Sequence, residues 1–209
     1  MSKRIERRER ETLAARKAII DAAIAVFAEH GYHGCTVEQL AGAAGYSVGS
    51  LYNYFSGKQQ LYRFALQKIT RELQEAMQVE LPESVGFFEA IVWSVQRHFT
   101  VMKPYRRFFR TAFEERASFE LGLGTEIVAI QDALGQVAFD RTVTLVERAQ
   151  QRGDLRPGAS KTIAWLIIGA MSSLFHIWVL GEVDEDVDSL AREFVDLLAE
   201  GLRAPEGSP

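Results

Sequence analysis

Apolar residues return every three or four positions through most of this chain and almost nowhere alternate, the signature of helices rather than strands. Ile20, Ala23, Ile24 and Phe27 form one such stripe, and the spacing predicts a helix from about Thr12 to His30, with Gly31 placed for a left-handed C-cap. A second helix is expected from Thr36, where Thr36 and Gln39 make a Thr-x-x-Gln capping box, to about Ala44. A third starts at Ser47 as N-cap and reaches Phe55. A fourth starts at Ser56, where Ser56 and Gln59 repeat the box, and runs to about Glu80 before Pro82. Further helices are predicted at about 84–102, 104–119, 125–152, 159–181 and 186–203, broken by Pro104, Gly122 and Gly124, the turn from Gly153 to Gly158, and Gly181. The tail from Ala204 to Pro209 is small and polar and is expected to be disordered. Hairpin signals are missing, so the fold class is all-α.

One helix departs from the usual single stripe. Ala164 to Leu180 is a 17-residue apolar stretch carrying Ser172, Ser173 and His176, slightly short for a membrane span, and it reads as a buried helix with no membrane partner. From Lys161 onward it is apolar nearly all round, and a surface helix needs only one apolar face. The second face is most simply covered by the same helices of a partner copy. Ile167, Met171, Leu174, Phe175 and Trp178, with Leu190, Phe194 and Leu198 of the last helix, are the expected homodimer interface.

Composition narrows the class. The 209 residues are 47% hydrophobic and 25% charged, ordinary for a packed protein. The single cysteine, Cys35, allows no intramolecular disulfide, and that usage fits a reducing cytoplasm; no export signal is read at the N-terminus. The net charge of −4 hides an asymmetry: residues 1–62 carry +2 and residues 63–209 carry −6. Five of six tyrosines lie in the first part, while eleven of thirteen phenylalanines and all three tryptophans lie in the second. Tyrosine joins a ring to a hydroxyl that can reach phosphate, whereas Phe and Trp mostly fill apolar space. Two parts with different tasks follow, with the boundary expected at 62/63.

The informative segment is Thr36 to Phe55. Ala44-Gly45-Tyr46-Ser47 is too short for anything but a tight turn between two helices, Ala41 is small where they cross, and Gly45 can supply a positive φ. No charged residue lies between Gln39 and Gly57, so nothing acidic has to be desolvated when this surface approaches DNA. Gly45-Tyr46-Ser47-Val48-Gly49 also matches the hydrolase nucleophile elbow formally, but that motif needs a strand before the serine and here a helix precedes it. His30, His33 and Cys35 lack a fourth ligand, so no metal and no cofactor are expected.

Phe27-Ala28-Glu29-His30-Gly31-Tyr32, Thr36-Val37, Ala41, Ala44 to Phe55, Lys58 and Leu61 resemble, in order and without a gap, the DNA-binding domain of TetR-type repressors. The resemblance covers about residues 16–62. It implies a three-helix helix-turn-helix domain at 1–62, a helical ligand-binding and dimerisation domain at 63–209, and a homodimer that binds a palindromic operator in double-stranded DNA and is released by a small-molecule effector. Carried over by position, Val48, Gly49, Ser50 and Asn53 face base edges, and Thr36, Ser47, Tyr52, Tyr54 and Lys58 hold phosphates. Tyr46, Val48 and Gln59 depart from the usual pattern; Val48 suits a thymine methyl rather than a polar contact.

In the second part, Trp93, His98, Phe99, Phe108, Phe109, Phe113 and Phe139 are the candidates for an apolar effector pocket or, equally, for core. Lys103, Arg106, Arg107 and Arg110 form a basic run that suits either an acidic ligand or a solvated face. The basic tail, with Glu6, Glu9 and Glu11 among its arginines, reads at least as well as a frayed, solvated helix start as it does as an arm on DNA. No nucleophile or carboxylate pair stands out, so catalysis is not expected; the competing class is a small-molecule-binding or catalytic helical protein with the helix-turn-helix as scaffold.

Overall fold

The computed structural model describes residues 3–78, 82, 84–115, 124–181 and 186–202, with backbone alone at 3, 4 and 124–135. The break expected at Gly122 and the tail from Ala204 to Pro209 lie outside the described residues. Regular structure among the described residues is helical: α1 (Lys3–Gly34), α2 (Val37–Ala43), α3 (Val48–Tyr52), α4 (Lys58–Met77), α5 (Phe87–Met102), α6 (Arg106–Glu114), α7 (Gly124–Arg152), α8 (Ser160–Leu180) and α9 (Val187–Leu202), with a 3-10 turn at Lys103–Tyr105.

Packing divides the chain into two units. The first joins residues 1–70 to 105–127, and the second joins 71–104 to 128–209. The domain boundary expected at 62/63 falls inside the first of these units. In the first unit α1 buries Ile19, Ala23 and Phe27, α4 buries Leu61, Tyr62, Ala65 and Ile69, and α6 buries Phe108 and Ala112. Their rings form one cluster. Phe27 meets Tyr62 edge-on at 5.1 Å, Tyr62 stacks on Phe108 at 5.4 Å, and Tyr32 lies 5.3 Å from Tyr62. Phe108, expected as a pocket candidate, is therefore core of this unit.

The end of α1 explains how the chain turns. Gly31 breaks the helix at φ 72° and ψ 177°, a positive-φ conformation but not the left-handed helical cap expected there, and helical hydrogen bonding resumes briefly to Gly34. The freed N–H groups of Tyr32 and His33 donate to the Glu115 carboxylate at 2.6 and 3.3 Å. From the other side, the Lys58 ammonium donates to the carbonyls of Tyr32 and Cys35 at 2.7 and 2.9 Å and sits 4.4 Å from the Tyr32 ring centroid. A Cβ at residue 31 would strike the Glu115 carboxylate.

In the second unit α5 buries Phe87, Ala90, Ile91, Val95, Phe99 and Met102, and packs against α9, which buries Leu190, Ala191, Val195, Ala199 and Leu202. Phe99 lies at 5.1 Å from Trp178 and 6.1 Å from Phe175 of α8. Arg97 and Arg141 both donate to carbonyls in the last turn of α4, at Ala76 and Met77, where a helix presents its negative end. The Gln150 amide spans the turn after α7, donating to the carbonyls of Arg156 and Gly158 at 3.1 Å while its oxygen accepts from Ser160.

His98 is half-buried as a residue, yet its Nε2 is sealed and has no hydrogen-bond partner among the described residues. The ring lies 5.2 Å from Phe175 and 5.8 Å from Phe99, and burial pushes its pKa down to about 4. Unfolding therefore takes up a proton at any pH between that value and the free-histidine value near 6.5, so stability falls as pH is lowered through this window. Wild type should lose about 2 kcal/mol between pH 6.5 and 5 from this group, at about 1.4 kcal/mol per unit. In denaturant titrations, His98→Gln should flatten that slope; an equal slope in the variant would mean that His98 is solvated in the folded state.

Candidate nucleic-acid interface

The segment from Thr36 to Gly57 is built from two helices shorter than nearly any that persist alone, so local hydrogen bonds define it. At the start of α2, Gln39 N–H donates to Thr36 Oγ1 at 3.3 Å, and Thr36 N–H donates to Gln39 Oε1 at 2.8 Å, completing the expected capping box. Gly45 takes φ 76°, and Tyr46 N–H returns to the Ala41 carbonyl at 2.9 Å. Ser47 then caps α3, accepting from Ser50 N–H at 3.1 Å, with the two hydroxyls 2.8 Å apart. This places Ser47 between two helices as a cap and leaves it no elbow geometry.

Two elements differ from expectation. α3 ends at Tyr52 rather than Phe55: Asn53 and Tyr54 close a turn onto the Ser50 and Leu51 carbonyls. At the expected Ser56 cap, the Ser56 N–H donates to Gln60 Oε1 at 2.6 Å, and α4 starts two residues later, at Lys58. The reason lies in Gly57, whose φ of 151° turns the chain before the helix can begin.

The result is a surface with a sealed underside. Leu40, Ala41, Leu51 and Phe55 are buried, while Thr36, Ser47, Gly49, Tyr52 and Asn53 are exposed and Val48, Ser50 and Tyr54 are half-buried. All four residues expected to face bases thus lie on or at the edge of the accessible side. Tyr52 is 52% exposed; Tyr54 is held back, its ring 5.8 Å from Tyr46. The Arg16 guanidinium donates to the Tyr54 carbonyl at 2.8 Å and lies 4.6 Å from the Phe55 ring centroid, fixing the exit of α3 against α1. The carboxyl of Glu38, in the first turn of α2, is held below the ordinary range by its own backbone N–H and the Thr36 hydroxyl.

Lys58 was expected at a phosphate. Two of its three N–H bonds are instead spent on Tyr32 and Cys35. Sequence reasoning missed this use, and missed Arg16 and Glu115 altogether, because all three act on backbone atoms distant in sequence. Cys35 is buried, with its thiol near the Tyr32 carbonyl and its pKa raised by burial, whereas His30 and His33 are exposed. Among the described residues no three His, Cys, Asp or Glu side chains gather as a metal site.

The remaining candidates scatter. Phe99 is core, Trp93 and Phe109 are half-buried, Phe113 is exposed, and Phe139 packs on Trp165 at 4.7 Å. A cavity in the second unit is lined by Val85, Phe87, Ala90, Leu145 and Ala149 with Arg148, Arg152 and Asp154, and none of the pocket candidates lines it. Arg110 of the basic run pairs with Glu114 at 3.0 Å, as a solvated face does. On α8, Ile167 and Trp178 point inward, as does Leu190 on α9, so these three are not interface residues. Met171, Leu174, Phe175, Phe194 and Leu198 are half-buried. Nor is α8 the buried helix expected: it is long and apolar enough to cross a membrane by length and composition, yet only 28% of its apolar window is buried in the chain.

Residues 19–64 match the family described as bacterial regulatory proteins, tetR family. Residues 19–64 thus carry a TetR-type DNA-binding domain, which with the relatives below supports a TetR-type transcriptional regulator. The chain is 26% identical, over 88% of its length and 93% of the relative's, to the fatty acid metabolism regulator protein of Bacillus subtilis. Its fold is similar to the fatty acid degradation regulator FadR of Bacillus halodurans, with a TM-score of 0.69 at 23% identity, covering 91% of this chain and 97% of that one. It is also similar to B. subtilis FadR in complex with stearoyl-CoA, with a TM-score of 0.63 at 21% identity, covering 88% and 98%. The chain is a ligand-responsive DNA-binding regulator with the expected all-α plan of an N-terminal helix-turn-helix and a C-terminal helical part. TetR regulators bind DNA and small ligands, commonly as dimers.

Lys58→Met keeps the stem and removes the ammonium, leaving the carbonyls of Tyr32 and Cys35 short of donors. Denaturant unfolding should register a loss of about 1–3 kcal/mol. Unchanged stability with weakened DNA binding would return Lys58 to a phosphate-only role.

Proposed function

We propose that two copies of this chain read a palindromic operator through residues 1–62 and release it when a small, mostly apolar effector enters residues 63–209, so that the protein represses transcription in the cytoplasm. The observation that carries this reading is the accessible side of α3, which is free of charge and backed by Leu40, Leu51 and Phe55. Val48, Gly49, Ser50 and Asn53 meet base edges; Thr36, Ser47, Tyr52 and Tyr54 meet phosphates, with Lys58 limited to its third hydrogen. The reading assigns no reaction to the chain.

For the effector, we infer a fatty acyl thioester. The relatives named for fatty acid metabolism and the stearoyl-CoA complex support that class. Within the second unit, the half-buried Phe175 lies 5.2 Å from His98, whose sealed, neutral Nε2 a thioester carbonyl would reach only once uncovered. Fluorescence anisotropy on the DNA upstream of the gene tests both halves. Saturating palmitoyl-CoA should weaken operator binding at least tenfold, about 1.4 kcal/mol of coupling, and operator should weaken thioester binding by the same factor. Coenzyme A alone should do neither. Unchanged operator affinity would discard the thioester; binding without sequence preference would discard the operator.

For the dimer, the exposed face of α8 is apolar and small together: Trp165 and Leu166 are 60% and 63% exposed, and Gly169, Ala170 and Ser173 follow at helical spacing, while Leu197 of α9 is 67% exposed. Small residues let a second helix approach closely, and patches of this kind on a soluble chain mark association sites. Leu166→Glu should give monomers by light scattering and abolish operator binding. Persistent dimers in Leu166→Glu combined with Leu197→Glu would place the interface elsewhere.

A further inference from the structure

α1 begins long before it has anything to pack on. Residues 5–14 are all exposed, and Ala15 is the first buried side chain. Helical geometry is unbroken before Gly31, so this stretch continues α1 without a kink. Nearly three turns without packing are marginal in water, and an apolar contact is not what they offer. Arg7, Arg8 and Arg10 fall within about 160° of the helix circumference, with Glu6 and Glu9 on the remaining side. Glu11 shares the basic side and pairs with Arg7 at 2.8 Å, and Arg10 Nε donates to the Glu6 carbonyl at 3.3 Å, so the stretch from Lys3 to Glu11, with five basic and three acidic residues, carries a net +2. Lys3 and Arg4 add to the charge of the same stretch.

The position of this extension is set by Arg16, which is bonded to the Tyr54 carbonyl where the reading segment ends. From that bond the helix continues thirteen residues to Lys3, roughly 20 Å at 1.5 Å per residue. We propose that this basic extension of α1 is a second DNA contact, holding backbone phosphates outside the half-site that α3 reads. The charge complementarity selects the partner: the chain as a whole carries −4, and its exposed positive helix starts from the exit of the recognition helix. Its reach corresponds to about six base pairs of flanking duplex at 3.4 Å each.

The inference rests on the operator reading above, and its test separates the two. Full-length protein is titrated across a salt series onto two duplexes, one trimmed to the paired half-sites and one with ten flanking base pairs on each side. Wild type should bind the longer duplex more tightly and with a steeper salt dependence. Arg7→Gln/Arg8→Gln/Arg10→Gln should bind both duplexes alike, lose at least tenfold on the longer one, and show a slope of log K against log salt lower by about 5, for six phosphates released by a dimer. The triple Lys variant should regain most of the slope, which a merely structural role of the arginines would not predict. Equal binding of wild type and the Gln variant to the longer duplex would overturn the proposal, as would an equal loss on both duplexes. Failure of wild type to prefer operator over unrelated sequence would instead discard the operator reading.

Discussion

The DNA-reading surface depends on helices too short to exist by themselves. Seven residues in α2 and five in α3 cannot recover the cost of helix nucleation from their own hydrogen bonds. Their ends are satisfied by Thr36 with Gln39 and by Ser47 with Ser50, and their inner faces by Leu40, Leu51 and Phe55. The chain enters this pair at Gly31–Cys35, a stretch of irregular backbone whose polar groups would be costly to leave bare. The Glu115 carboxylate, just past the end of α6, answers the N–H groups and an ammonium from α4 answers the carbonyls. Those two charges fix the direction in which α2 departs.

What could be read from the sequence divides along the range of the interaction responsible. The caps at Thr36 and Ser47 and the positive φ of Gly31 and Gly45 are local: a residue type and its neighbours within four positions determine them. The start of α4 is also local, although nothing in the spacing says that the helix begins only after Gly57 or that the Ser56 N–H finds Gln60 Oε1. Glu115 lies 83 residues from Tyr32, and no pattern within one segment could join them. Lys58 was assigned to phosphate because a lysine near a recognition helix has that chemistry; the carbonyls it serves lie across 26 and 23 residues.

The second unit was legible as helices and less so as neighbours. Periodicity tells which face of a helix is apolar, never what that face meets. Phe108 and Phe99 both sit at buried positions, yet one completes a cluster with Phe27 and Tyr62 and the other faces Phe175 and Trp178. In α8 the pattern was right that two faces are apolar, while the individual residues drawn for the outer face included Ile167 and Trp178, which turn inward, and omitted Trp165 and Leu166.

That α6 packs with the first 70 residues has a consequence for the order of events on the ribosome. The helix-turn-helix is translated early, but its core lacks Phe108 and its backbone junction lacks Glu115 until some forty further residues have left the exit tunnel. Until then α1, α4 and the reading helices hold an open seat beside Phe27 and Tyr62. The nascent reading head is thus unfinished while the intervening helix α5 is made, and a graft that transplants only residues 1–62 onto another protein inherits the same open seat permanently.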